Sequence, residues 1–283
     1  MWDLILIVIA LIVLLIASYS DLRSREVPDW LSYSLIFGAL GIRLIFSLTT
    51  FDWSILLNGA IGLAVCVALA YLFYYSGQWG GGDSKLLMGM GAVIGIQWPL
   101  SNVSLNLLWF FLALLFLGSI YGLLWMGGIS IIKRKNFVPL WKNKQDKQRG
   151  LFIFALVCSL LLLGLVFLSP ALWFFSLLPI GLYYLFSFVS AVEDSCFYNK
   201  VCPEKLVEGD WLGEAVKIGD KTIVVRKTLE AEDVTHLKNL FREGKLKWVI
   251  IKEGVPFVPS FLFAYLALTF GGKAFSWLLQ TIF

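Results

Sequence analysis

A single histidine, His236, serves the whole chain, and only 15% of its 283 residues are charged. One histidine excludes a Ser-His-Asp triad unless His236 acts alone, and it excludes histidine-rich metal centres. His236 lies in a polar, helix-like stretch, where a solvated side chain is the ordinary reading. Cysteine is also sparse. Cys66 and Cys158 fall in apolar runs and read as space-filling thiols. Cys196 and Cys202 sit close together in a polar segment and could be a disulfide, half a metal site or reduced thiols; no His or further Cys is near enough to complete a zinc set, so reduced thiols are the favoured reading and no metal is expected. The scarcity of charge is the stronger constraint. A soluble domain carries about 25% charged residues, and a chain with far fewer cannot cover its surface with polar groups, so the lipid bilayer must be part of its solvent. A net charge of +4 gives no basis for a nucleic-acid partner.

Apolar residues supply what charge does not. Eight runs approach the roughly 20 residues that a spanning helix requires: 4–20, 31–48, 55–75, 86–100, 105–132, 151–168, 171–192 and 255–283. The first has no basic region before it and no small-residue cleavage site after it, and reads as a retained helix. The fourth is short and glycine-rich, which favours close approach of a neighbouring backbone. Orientation follows from basic residues in the loops. Residues 133–149 hold seven Lys and Arg, so this loop is expected to be cytoplasmic. Counting spans then puts 21–30, 76–85 and 193–254 on the same side and the N-terminus outside. The opposite loops, 49–54, 101–104 and 169–170, contain no Lys or Arg. Arg43, inside the second span, is expected to snorkel outward.

The sizeable polar region, 193–254, carries 11 basic and 12 acidic residues and is expected to fold in water. Residues 215–218 and 221–225 around Gly219-Asp220 read as a β-hairpin. Residues 229–243 read as a helix ended by Gly244, and 247–252 as a further strand. The expected fold is an all-α polytopic membrane protein of about eight transmembrane helices with a small cytoplasmic α+β domain.

Acidic residues beside spans are costly, and two stand out. Asp21 follows the first span in Asp21-Leu22-Arg23-Ser24-Arg25-Glu26-Val27-Pro28. Asp83 precedes the fourth in Gly80-Gly81-Gly82-Asp83-Ser84-Lys85. The expected topology puts both at the cytoplasmic face. Carboxyl groups held close together cannot both ionise, so one keeps a proton while the other acts as a base. Such a pair can activate water and protonate a leaving amine without metal or histidine. Asp83, at a helix N-terminus, would be the ionised member, and Asp21, at a helix C-terminus, the protonated one. The glycines leave room for an extended substrate against the backbone.

These two segments resemble the first-aspartate and GxGD motifs of the type IV prepilin peptidase and archaeal preflagellin peptidase family. Gly254-Val255-Pro256-Phe257-Val258-Pro259 is similar to the family's proline-rich start of its final helix. The three run in family order along nearly the whole chain. The resemblance implies a membrane-embedded aspartic endopeptidase, without cofactor, built on a six-helix core. It would remove the short basic leader, a class III signal peptide, from type IV pilin-like or archaellin precursors at the cytoplasmic face. Asp21 and Asp83 take the catalytic positions, Gly80 and Gly82 those of the motif glycines, and Lys85 that of the following lysine. Bacterial members that also methylate carry a Cys-x-x-Cys insert ahead of the first aspartate; none is present, so no methyltransferase activity is expected. The polar region is similar to that of the archaeal branch. On this reading 1–192 is the transmembrane peptidase region, 193–254 the cytoplasmic domain and 255–283 the final helix. Basic leaders favour acidic partners, for which Glu26 and Asp29 are the candidates, with Glu208 and Asp210 further off. The alternative from another class is a proton-coupled transporter using the two aspartates, although no internal repeat supports it. Oligomeric state is not readable.

Overall fold

The computed structural model describes residues 2–98, 105–164, 173–218, 221–225 and 228–282. Its helices are α1 (Trp2–Ser24), α2 (Asp29–Thr50), α3 (Ser54–Tyr75), α4 (Gly81–Ile94), α5 (Asn106–Ile132), α6 (Arg134–Lys147), α7 (Arg149–Leu163), α8 (Trp173–Cys196), α9 (Ala231–Arg242) and α10 (Val258–Ile282). The strands are β1 (Tyr198–Val201), β2 (Val216–Ile218), β3 (Lys221–Val224) and β4 (Val249–Lys252). Two compact units result, Met1–Gly122 with Pro256–Phe283, and Leu123–Val255.

Among the described residues five helices, α1, α2, α3, α5 and α8, are long and apolar enough to cross a membrane. Their exposed side chains include Ile12, Phe37, Leu72 and Phe116, the pattern expected where lipid takes the place of water. Helix α7 and Val258–Gly271 of α10 are apolar but shorter. Helix α4 differs from the expected fourth span. It starts at the glycines and ends at Ile94, where Gly95 leaves the helix at φ 71°. Its 14 residues reach about 21 Å, short of the ~30 Å hydrocarbon layer. The expected loops 101–104 and 169–170, and the ends of the runs beside them, lie outside the described residues.

In the first unit α4 packs on α2 and α3, and α1 packs on α10. Leu14, Leu31, Leu35, Leu86, Leu87, Met90, Phe110 and Phe261 are buried there. The α3–α4 contact is made by glycines: a Cβ on Gly62 would overlap the Gly91 carbonyl oxygen, so the two backbones touch. Arg43 does not snorkel outward. It is 3% exposed, and its guanidinium donates from Nε to Ala92 O (3.0 Å) and from Nη2 to Val93 O (2.8 Å) and Ile94 O (3.3 Å). Nη1 donates to Ile55 O of α3 at 2.9 Å. The last carbonyls of a helix lack partners within it, and a cation there meets the negative end of the dipole. Arg43 thus caps α4 from a neighbouring helix.

In the second unit the basic stretch 133–149 is a helix, not a loop. Phe137 and Trp141, one turn apart, face α8 and make a cluster with Phe188, Ala191 and Val192. Burial of that face outweighs Pro139, which sits inside the helix. A separate core holds Leu206, Leu212, Val224, Leu229, Leu237 and Ile251. Strands β2 and β3 form the expected antiparallel hairpin, whose turn Gly219-Asp220 lies outside the described residues. Helix α9 has a capping box between Glu230 and Asp233. Strand β4 pairs antiparallel with β1, a partner not expected from the sequence.

Candidate active site

Asp21 lies within the last turn of α1. Its carbonyl accepts the Arg25 N–H at 2.9 Å, and Arg25, at φ 58°, turns the chain out of the helix. Ser20 Oγ then donates to Glu26 O (2.9 Å), tying down the link to α2. The Asp21 side chain points inward and is 6% exposed. Its Oδ2 accepts the N–H of Val258, the first residue of α10, at 2.9 Å, and the Phe257 N–H faces the same carboxylate. These N–H groups belong to the unsatisfied set at a helix start, and Pro259, having none, costs nothing there. The proline-rich segment therefore acts through its backbone, by receiving the Asp21 carboxylate as a cap.

Asp83 is the third residue of α4, with Gly80 as N-cap. Its carboxylate accepts the Gly80 N–H, the backward half of a capping box. Gly82 lies against the first motif: a Cβ there would stand 3.1 Å from Val27 Cβ and 3.6 Å from Val27 N. The absent side chain is what lets the two motifs touch, and Asp21 and Asp83 lie within electrostatic range of each other. Both carboxylates meet main-chain N–H groups at a helix N-terminus. The expectation that Asp21, at a helix C-terminus, is the protonated member considered α1 alone and missed the opposing dipole of α10. Gly80 is exposed, and the nearest atom to a Cβ there would be Asp83 Oδ2 at 3.7 Å.

Lys85 Nζ pairs with Asp29 Oδ1 at 2.6 Å, their side chains 30% and 61% exposed, and lies 5.6 Å from the centre of the Tyr33 ring. The lysine thus spans from α4 to the start of α2. Glu26 is exposed on the link between α1 and α2. Glu208 and Asp210 belong to the second unit. There Asp210 accepts the Val207 N–H at 3.0 Å, and burial, with Glu253 nearby, pushes its carboxyl above the ordinary range.

Other neighbours of the aspartates escaped sequence reasoning. Trp79, just before Gly80, stacks on Phe73 with centroids 4.6 Å apart and meets Phe257 and Phe261 at 5.7 and 5.8 Å. Trp79 directly before the second motif and Phe257 within the third were the available signals. Ser18, Ser84 and Ser260 are buried with hydroxyls lacking a protein partner. Ser18 is one turn before Asp21, Ser84 adjoins Asp83, and Ser260 lies in the first turn of α10. All four cysteines are unbridged. No group of three or more His, Cys, Asp or Glu gathers at one point among the described residues.

Known proteins bear on this geometry. The chain is similar to three curated preflagellin peptidases. That of Methanococcus maripaludis is 44% identical over 82 residues, 29% of this chain and 35% of that protein. That of Methanocaldococcus jannaschii is 37% identical over 87 residues, 31% of this chain and 37% of the other. That of Methanococcus voltae is 36% identical over 86 residues, 30% and 36% of the two. The match thus spans about a third of the length of these relatives. Residues 8–127, which include both aspartates, match the model of the type IV leader peptidase family, and over that segment the resemblance read from the motifs is shown.

Proposed function

We propose that the chain is a membrane-embedded aspartic endopeptidase that removes the short basic leader from archaellin or type IV pilin-like precursors at the cytoplasmic membrane face. The observation that carries this is the approach of the two motifs, with Gly82 against Val27 and Asp21 within range of Asp83. The leader peptidase match over the same segment supports it.

In the proposed reaction one carboxylate takes a proton from water as the oxygen attacks the scissile carbonyl. The other, protonated, donates a hydrogen bond to the carbonyl oxygen. Collapse breaks the C–N bond, the proton passes to the leaving amine, and the products are a carboxylate and a new N-terminus. The buried hydroxyls of Ser18, Ser84 and Ser260 are the proposed further contacts for that water. Gly80 and Gly82 shape the loop. Lys85 acts on Asp29, so its role is to hold α4 against α2. Glu26 and Asp29 are the proposed contacts for leader cations; Asp29 would exchange Lys85 for a substrate lysine or arginine.

The full reading has eight spans around a six-helix core, an outside N-terminus and a cytoplasmic α+β domain over 193–254. It includes peptidase activity without methylation. The basic stretch 133–149 beside apolar helices supports that orientation. The test is incubation of the purified protein with an archaellin precursor and a pilin precursor, with mass spectrometry of the products. A single cut releasing the leader, with an unmethylated new N-terminus, is expected. Proton movement across proteoliposomes without any cut would favour the transporter.

A further inference from the structure

Helix α6 is joined to α5 through Lys133 alone and to α7 through Gln148 alone. Its neighbours are apolar: Ile131 and Ile132 end α5 and are exposed, as is Leu151 near the start of α7. A polar helix tethered so tightly at both ends must stay within a turn of the lipid surface. Its inner face is committed. The Phe137 and Trp141 rings stack at 5.3 Å, and Phe188 of α8 meets Phe137 edge-on at 5.7 Å. Lys144 pairs with Asp194 at 2.5 Å and donates to Ser190 O at 2.9 Å. Lys133 donates to Cys196 O at 2.7 Å.

The other five cations of 133–149 are exposed. Lys135, Val138 and Lys142 follow at i, i+3 and i+7 on one stripe of α6, and Arg149 opens α7. Lys147 and Arg149 flank Gln148. Gln148 and Ser190 stand at the α6 end of a groove of about 410 Å³ between α7 and α8, whose walls include the exposed side chains of Leu151, Phe154, Leu182 and Phe186. Exposed cations, a polar groove end and apolar groove walls lie in sequence. We propose that this surface binds an anionic phospholipid, its phosphate on the α6 cations and an acyl chain in the α7–α8 groove.

Charge complementarity selects that occupant: cations beside a membrane favour anionic headgroups over zwitterionic ones, and the groove requires a chain attached to the headgroup. The test uses the purified full chain in neutral detergent, with phosphatidylglycerol or phosphatidylcholine added at equal concentration. Retained lipid is counted by native mass spectrometry, and the thermal midpoint is followed. Retention should favour phosphatidylglycerol by roughly tenfold or more, with a higher midpoint. Changing Lys135, Lys142, Lys147 and Arg149 together to Gln should abolish the preference; changing the three lysines to Arg should keep it. Cys158→Trp, which fills the groove, should lower retention of phosphatidylglycerol. Equal retention of the two lipids by the unaltered protein, or an intact preference in the Gln variant, would overturn the proposal. So would glycerol phosphate raising the midpoint as far as the whole lipid, since the chain would then contribute nothing.

Discussion

Replacing Arg43 by Met keeps an apolar stem of similar length and removes the guanidinium. Four contacts disappear, to Ala92, Val93, Ile94 and Ile55. The end of α4 then keeps buried carbonyls with no donor, because Gly95 already turns the chain away and its own N–H goes to Gly91 O. Each unsatisfied buried carbonyl costs about 1 kcal/mol or more. Relief from burying a charge offsets part of the loss, so the net destabilisation is about 3 kcal/mol. At about 2–4 °C per kcal/mol, the midpoint should fall by about 6–12 °C. Arg43→Lys keeps the charge but only one nitrogen and should fall in between. The assay is thermal unfolding in one detergent, with aggregation followed in parallel. A Met variant melting with the unaltered protein would refute the claim that Arg43 caps α4.

Gly82→Val should cost about 1–3 kcal/mol by overpacking against Val27 and reduce leader cleavage by more than its stability loss accounts for; Gly82→Ala should lie between, and a Val variant with full turnover would separate that contact from the site. Asp29→Asn breaks an exposed ion pair and should change stability by less than about 1 kcal/mol, while raising KM for a basic leader and leaving kcat; an unchanged KM removes Asp29 from leader recognition. The raised carboxyl of Asp210 means that the folded state holds this proton more tightly than the unfolded chain. Its stabilising contribution is therefore complete below the ordinary aspartate range of about 4 and is lost as pH rises through the raised value. Asp210→Asn should gain stability relative to the unaltered protein over that rise; a difference between the two that stays flat with pH contradicts it.

The paired aspartates were legible because each stands in a short, distinctive motif beside an apolar run, where a carboxylate is expensive. The hairpin at Val216–Ile218 and Lys221–Val224 and the helix Ala231–Arg242 were legible because their patterns are local. What was not legible depends on contacts between distant segments. Arg43 looked like a snorkelling cation until the end of α4, some fifty residues on, supplied its carbonyls. The electrostatics of Asp21 depend on the N–H of Val258 across the chain. Helix α6 was hidden by its charge and by Pro139; Phe137 and Trp141 at i and i+4 were the signal, and the residues that face covers, among them Phe188 and Val192, lie far from it in sequence. Helix α4 was read as part of a longer apolar run; its helical part ends early, at Ile94, and the chain runs on past Gly95 in non-helical form, the Ile96 N–H donating to Asn58 O near the start of α3.

The most direct measurement is single-turnover cleavage of an archaellin precursor by Asp21→Asn, Asp83→Asn and the double variant, each shown to melt near the unaltered protein. Paired carboxyls acting as one unit predict that each single variant loses cleavage almost as fully as the double. A single variant that still cuts at the leader junction at a normal rate would contradict the account.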